Sequence, residues 1–180
     1  MIRVVSVDLD SLLERLEPQP AAADSVEGQR LHRTVRARLL DETVPETRID
    51  RFVVTGRLGV GGMGVVYAAH DAQLDRRLAI KLVRHFDPEQ REQDQQRLIR
   101  EARALAKLSH PNVVTIYDVG VHDEHVFIAM ELVAGATLRR WIGDGDRPCD
   151  EVSRCLLQAG EGLAAAHEAG IVHRDFKPDN

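Results

Sequence analysis

Apolar residues repeat along this chain in two rhythms, and the change of rhythm divides it. From Phe52 they come in short β-rich runs bounded by turn signals: Phe52-Val53-Val54-Thr55, Val65-Val66-Tyr67-Ala68-Ala69 and Leu78-Ala79-Ile80-Lys81-Leu82-Val83. Two more follow, Val113-Val114-Thr115-Ile116-Tyr117 and Val126-Phe127-Ile128-Ala129-Met130, joined by a polar hairpin at His122-Asp123-Glu124-His125. Between the third and fourth runs, a charged stretch from Pro88 to Leu108 carries Leu98, Ala102, Leu105 and Leu108 at helical spacing. Beyond Gly135 the rhythm turns helical. Glu151 to His167 carries Val152, Cys155, Leu156, Ala159, Leu163 and Ala166 on one predicted face. The pattern predicts five strands with one helix inserted after the third, followed by a helical segment.

Residues 1–50 keep neither rhythm. An apolar patch (Ile2 to Leu16) runs into Pro18-Gln19-Pro20-Ala21-Ala22-Ala23, and Gln29 to Leu40 offers one marginal helix through Leu31, Val35 and Leu39. We expect a flexible lead-in over 1–50, a sheet-and-helix unit over 51–134 and a helical segment over 135–180.

Composition narrows the function classes. A chain of 180 residues, 43% hydrophobic and 29% charged, is ordinary for a globular protein. Its net charge of −5 gives no basic field for nucleic acid or anionic lipid. No apolar run reaches the ~20 residues that span a bilayer, so no membrane segment is expected here. Acid at Asp8 argues against a secretory signal. The two cysteines, Cys149 and Cys155, suit neither a zinc site nor a disulfide framework, and a reduced cytoplasmic location is expected. His122 and His125 read as solvated turn residues, and Trp141 as a helix packing residue.

Three features carry chemistry. Gly59-Val60-Gly61-Gly62-Met63-Gly64 fits a G-x-G-x-x-G pattern, which alone is weak evidence. Its continuation is β-branched and aromatic, so the loop joins two strands; a dinucleotide fingerprint would lead into a helix. Such glycines let backbone amides approach phosphate oxygens, although a hairpin with no ligand fits the loop equally well. Lys81 stands in an otherwise apolar strand, sharing a face with Ala79 and Val83; it either snorkels to water or has an anionic partner. Glu101 lies three after Leu98 and four before Leu105, towards the inward side of the helix. Arg97, Arg100 and Arg103 could satisfy it locally, or it could pair with Lys81.

The last eight residues, His173-Arg174-Asp175-Phe176-Lys177-Pro178-Asp179-Asn180, gather three further groups. A carboxylate (Asp175) can accept a proton, a cation (Lys177) can hold a phosphate, and an amide (Asn180) can ligate a hard metal. Pro178 keeps the segment out of a helix. The combination suits phosphoryl transfer.

With these motifs in this order, Phe52 to Asn180 resembles the eukaryotic-type protein kinases, and most of all the Ser/Thr protein kinases of bacteria. The resemblance implies an α+β fold: a kinase N-lobe (a five-stranded antiparallel sheet plus one helix) and the first helices of an incomplete helical C-lobe. It implies ATP and Mg2+ as cofactors, proteins with Ser/Thr hydroxyls as substrates, no nucleic-acid partner, and kinase dimerisation as an option. Leu58, Gly59, Gly61, Gly64 and Val66 would cover the phosphates, with Val66 and Ala79 against adenine. Lys81 would contact the α- and β-phosphates and pair with Glu101. Met130 would be the gatekeeper, and Glu131-Leu132-Val133 the hinge whose backbone meets adenine. Asp175 would orient the substrate hydroxyl and take its proton, with Lys177 beside it, and Asn180 would bind a magnesium ion. Leu105, Ile116 and His173 match the family's hydrophobic spine, and His110-Pro111-Asn112 a structural turn. Arg174 implies an activation segment ordered by phosphorylation.

The chain departs from the family pattern at Phe176 and Asp179, where other residues are commoner. More seriously, the family's Asp-Phe-Gly segment, activation segment, Ala-Pro-Glu motif and remaining helices are absent from these 180 residues. The expectation is a fragment of a longer kinase with little activity alone. A non-catalytic nucleotide-binding or docking module is the alternative, and a small-molecule kinase a third reading.

Overall fold

The computed structural model describes residues 46–61, 64–83, 91–173 and 176–179. Among the described residues six strands form one antiparallel sheet: β1 (Arg48–Ile49), β2 (Phe52–Gly61), β3 (Gly64–Asp71), β4 (Arg76–Val83), β5 (Ile116–His122) and β6 (His125–Glu131). Their order across the sheet is β1-β2-β3-β4-β6-β5. Helix α1 (Arg91–Leu105) lies between β4 and β5, and α2 (Leu138–Gly143) and α3 (Cys149–Glu168) follow the sheet.

The expected sheet and inserted helix are present, with local differences. The sixth strand is β1, in what the sequence suggested was lead-in. Ile49 pairs with Phe52 and is fully buried, so the packed unit begins before residue 51. The fourth predicted run starts three residues later than expected, at Ile116. Val113 is instead held in a turn, its N–H donating to His110 O at 3.1 Å, while Asn112 N donates to His110 Nδ1 at 3.2 Å. Turn chemistry at His110-Pro111-Asn112 thus overrides the β-branched propensity of Val113 and Val114. The helix expected within 29–40 and the Pro88 start of α1 lie outside the described residues.

Period-2 alternation sorts the sheet into two faces. One face is a continuous core of Ile49, Phe52, Val54, Val65, Tyr67, Ala69, Leu78, Ile80, Leu82, Phe127 and Ala129. Phe52 and Phe127 meet edge-on there, with ring centroids 6.0 Å apart. The sheet curls around this core until its outer strands meet. The β1–β2 turn reaches β5 through Asp50 N donating to His122 Nδ1 (3.2 Å) and through Arg51 Nη1 against Asp118 Oδ2 (2.7 Å). Arg51 also stands 3.6 Å from the fully buried Asp71, whose Oδ1 accepts from Gln73 N at 3.1 Å and so shapes the β3–β4 turn.

The opposite face is covered in part by α1, whose Leu98 and Ala102 pack on Val83, Val126 and Ile128. Below them, Leu105 joins Val113 and Ala159 of α3. Helix α3 starts at Cys149, two residues before the predicted Glu151. Its buried row is narrower than predicted: Cys155, Ala159, Gly162 and Ala166. Leu156 is not part of it and stands 50% exposed. The row must be small because α3 lies against the Asn112 backbone. A Cβ on Gly162 would come within 2.8 Å of Asn112 O. Asn112 Nδ2 donates to Glu161 Oε2 at 3.0 Å, tying the turn after α1 to α3.

Candidate functional site

The sheet register assembles most of the residues singled out by sequence. Val66 of β3 pairs with Lys81 of β4, which pairs with Ile128 of β6. In the next row Ala68 pairs with Ala79, which pairs with Met130. Directly paired residues in an antiparallel sheet point to the same side. Gly59 extends the first row, opposite Val66, and Gly56 the second, opposite Ala68. Gly59, Val66, Ala79, Lys81 and Met130 therefore share one patch, on the face that also carries α1.

The patch differs from the interior in kind. Ala68 and Ala79 are 8% and 6% exposed, yet neither belongs to an apolar cluster. Two methyl-sized side chains side by side leave room above the strands for a flat apolar group. Next to them lies Lys81, an ammonium-bearing side chain only 8% exposed. A buried ammonium sits where it can meet negative charge at short range and low solvent screening.

The glycine loop forms the edge of the patch. Leu58 is the residue at a bulge of β2, where the register slips between Arg57 and Gly59, and it stands 54% exposed beside Val60 at 58%. Gly61 pairs with Gly64 across the loop. Gly64 has φ +151°, and a Cβ there would come within 2.1 Å of Leu82 O. Only glycine lets β3 start this close to β4.

Glu101 sits half-buried on α1, one residue before Ala102 of the packed row. Two of the three arginines that could neutralise it have other partners: Arg97 lies 3.8 Å from Asp94, and Arg100 Nε donates to Gln96 O. Lys81 on β4 and Glu101 on α1 stand on elements of the same face of the sheet. In the segment expected to be the hinge, Glu131 N donates to Thr115 O at 2.9 Å, so that N–H is already engaged. Val133 is 44% exposed. Gly135, with φ +137°, turns the chain towards Thr137, whose Oγ1 caps α2 by accepting from Arg140 N.

The terminal segment is described only in part: Asp175, Arg174 and Asn180 lie outside the described residues. Lys177 is exposed, and Phe176 packs edge-on against His173, centroids 5.7 Å apart. His173 is 2% exposed, two residues beyond Ile171, which packs, as Ile116 does, against the cluster of Leu105, Val113 and Ala159. Sequence reasoning missed the tie between this segment and α2. Arg139 Nε donates to both carboxylate oxygens of Asp179, at 2.6 and 2.7 Å, and Arg139 N donates to Pro178 O at 3.0 Å. Trp141 packs against Arg147 instead of a core, 4.8 Å from ring centroid to guanidinium. Among the described residues no helix is long and apolar enough to cross a membrane.

Residues 52–180 match the family described as Protein kinase domain. The chain is 42% identical over 130 residues to the serine/threonine-protein kinase pkn2 of Myxococcus xanthus, covering 72% of this chain and 16% of that protein. It is 41% identical over 131 residues to the serine/threonine-protein kinase PrkC of Bacillus subtilis, covering 72% and 20%. Among solved structures, the PknI kinase domain of Mycobacterium tuberculosis superposes with a TM-score of 0.63 at 28% identity, over 74% of this chain and 55% of that one. The chain thus spans a fifth or less of these two curated relatives and about half of that solved domain.

Proposed function

Because the chain belongs to the protein kinase domain family, we propose that its sheet and α1 form the nucleotide-binding part of a Ser/Thr protein kinase that uses ATP and Mg2+. The observation that carries this reading is the patch of Val66, Ala79, Lys81 and Met130, assembled by register on one face beside the glycine loop. Bound MgATP would supply the phosphoryl group to be transferred. The chain's own residues would do the holding. Val66, Ala68 and Ala79 make an apolar floor for a base, with Met130 at its back and residues 131–133 along its edge. Lys81 answers phosphate charge, and Glu101 fixes the ammonium once α1 and the strand draw together. Gly59, Gly61 and Gly64 let backbone amides approach the phosphates.

At the other end of the reading, Asp175 would orient a protein hydroxyl and take its proton. Lys177 would steady the transferred group, and Asn180 would hold a metal ion. Relatives named as serine/threonine kinases support the choice of acceptor.

Titration of the chain with MgATP, followed calorimetrically, tests the binding half. We expect saturable binding that weakens at least about tenfold in Lys81→Ala, the scale of a lost hydrogen bond to a charged group. Unchanged affinity in that variant, or no binding by the wild type, overturns the reading.

A further inference from the structure

The packed row of α1 does not stop at its last apolar residue. Arg91, Gln95, Leu98, Ala102 and Leu105 follow one another at steps of four, three, four and three, one stripe along the helix. Its lower part packs on strands. Its upper part is polar, and it ends on a single residue of the β5–β6 turn. Arg91 Nη1 bonds Glu124 Oε2, and Gln95 Nε2 donates to Glu124 O. The turn is in its own right pinned to the far edge of the sheet, since its neighbour His122 accepts from Asp50 N.

The turn's backbone adds a second observation. His122 pairs with His125, so the connection is two residues long, and Asp123 and Glu124 have φ of 45° and 66°. Both central residues at positive φ is the tight-hairpin geometry that Asn-Gly or Asp-Gly satisfies easily. A glutamate in the second position carries a local conformational cost that glycine would avoid. Glu124 stays in that conformation while its side chain and carbonyl both serve α1.

We propose that Glu124 is a positioning residue for nucleotide binding, acting through α1 on Glu101. It fixes the upper end of the helix, and Glu101 lies on the next stripe round, between Leu98 and Leu105. With that end held, small shifts of the lower end aim the Glu101 carboxylate at Lys81; with it released, α1 pivots on its apolar contacts and Glu101 loses its aim. The inference rests on the nucleotide-binding reading above.

The test is a double-mutant cycle on the chain, with MgATP affinity as readout. An exposed ion pair is worth little by itself, so Glu124→Ala is expected to weaken binding only about threefold. The decisive result is non-additivity: in a Glu101→Ala background, Glu124→Ala should have no further effect. A merely structural role would lower affinity by the same factor in both backgrounds, and that outcome overturns the proposal. The exchanged pair, Arg91→Glu with Glu124→Arg, should recover most of the wild-type affinity, while failure to recover in a folded protein counts against it. Circular dichroism identifies variants that fail to fold, and for those Arg91→Ala replaces Glu124→Ala in the cycle. Absence of binding by the wild type overturns the parent reading and this one together, whereas failure of this inference shows only in the variants.

Discussion

The sheet and the helical segment after it are built on opposite terms. The sheet encloses side chains as large as Tyr67, Phe52 and Phe127, each at most 2% exposed. Helix α2 buries nothing, and α3 buries only Cys155, Ala159, Gly162 and Ala166. Leu156 and Leu157 stand 50% and 69% exposed. The sheet is held by its own core; the helices are held by a few contacts, chiefly at Asn112 and at Arg139 with Asp179. The region proposed to hold nucleotide is therefore the self-supporting one, and the described helices after it depend on what they pack against.

Substitutions should expose that asymmetry. Phe127→Ala removes a ring from the centre of the closed core and should destabilise the chain by about 4 kcal/mol in urea unfolding. A loss below about 1 kcal/mol would mean the core is loose. Gly64→Ala places a methyl against Leu82 O at a positive φ, and we expect about 3 kcal/mol, with β3–β4 amides exchanging faster. Gly162→Val should act locally, at about 2 kcal/mol, lifting α3 off Asn112 and raising amide exchange in residues 149–168 while the sheet stays protected. Smallest of all, Leu157→Ala should change stability by less than about 0.5 kcal/mol, because the side chain is already in water. If Gly162→Val and Phe127→Ala instead unfold the chain equally, the two regions form one cooperative unit and the contrast fails.

The sheet's two faces were legible in the sequence because strand alternation is local. From Leu78-Ala79-Ile80-Lys81-Leu82-Val83 alone, Lys81 falls with Ala79 and Val83, and the structure keeps that sorting. The glycine loop was legible for the same reason, since its neighbours are strands. The strand at Arg48–Ile49 was not, because two residues carry no periodicity. Val113 misled because β-branched propensity speaks louder in a sequence than a His110-centred turn. Leu156 misled because the width of a buried stripe depends on the partner, here a backbone that tolerates only small residues. Glu124 to Arg91, Arg139 to Asp179 and Arg51 to Asp118 left no trace, for polar contacts across 33 to 67 residues have no spacing rule to betray them. The Lys81–Glu101 pairing expected from sequence belongs to the proposed function: the structure supplies its two elements, β4 and α1, on one face of the sheet.

Side-chain methyl NMR distinguishes the two faces of the sheet most directly, because adjacent residues on one strand report opposite sides. On saturation with MgATP, the methyl signals of Val66, Ala68, Ala79 and Met130 should move, while those of Leu78, Ile80 and Leu82, one residue away along β4, should hold still. Shifts of equal size on both faces, or none at saturating nucleotide, would contradict the account.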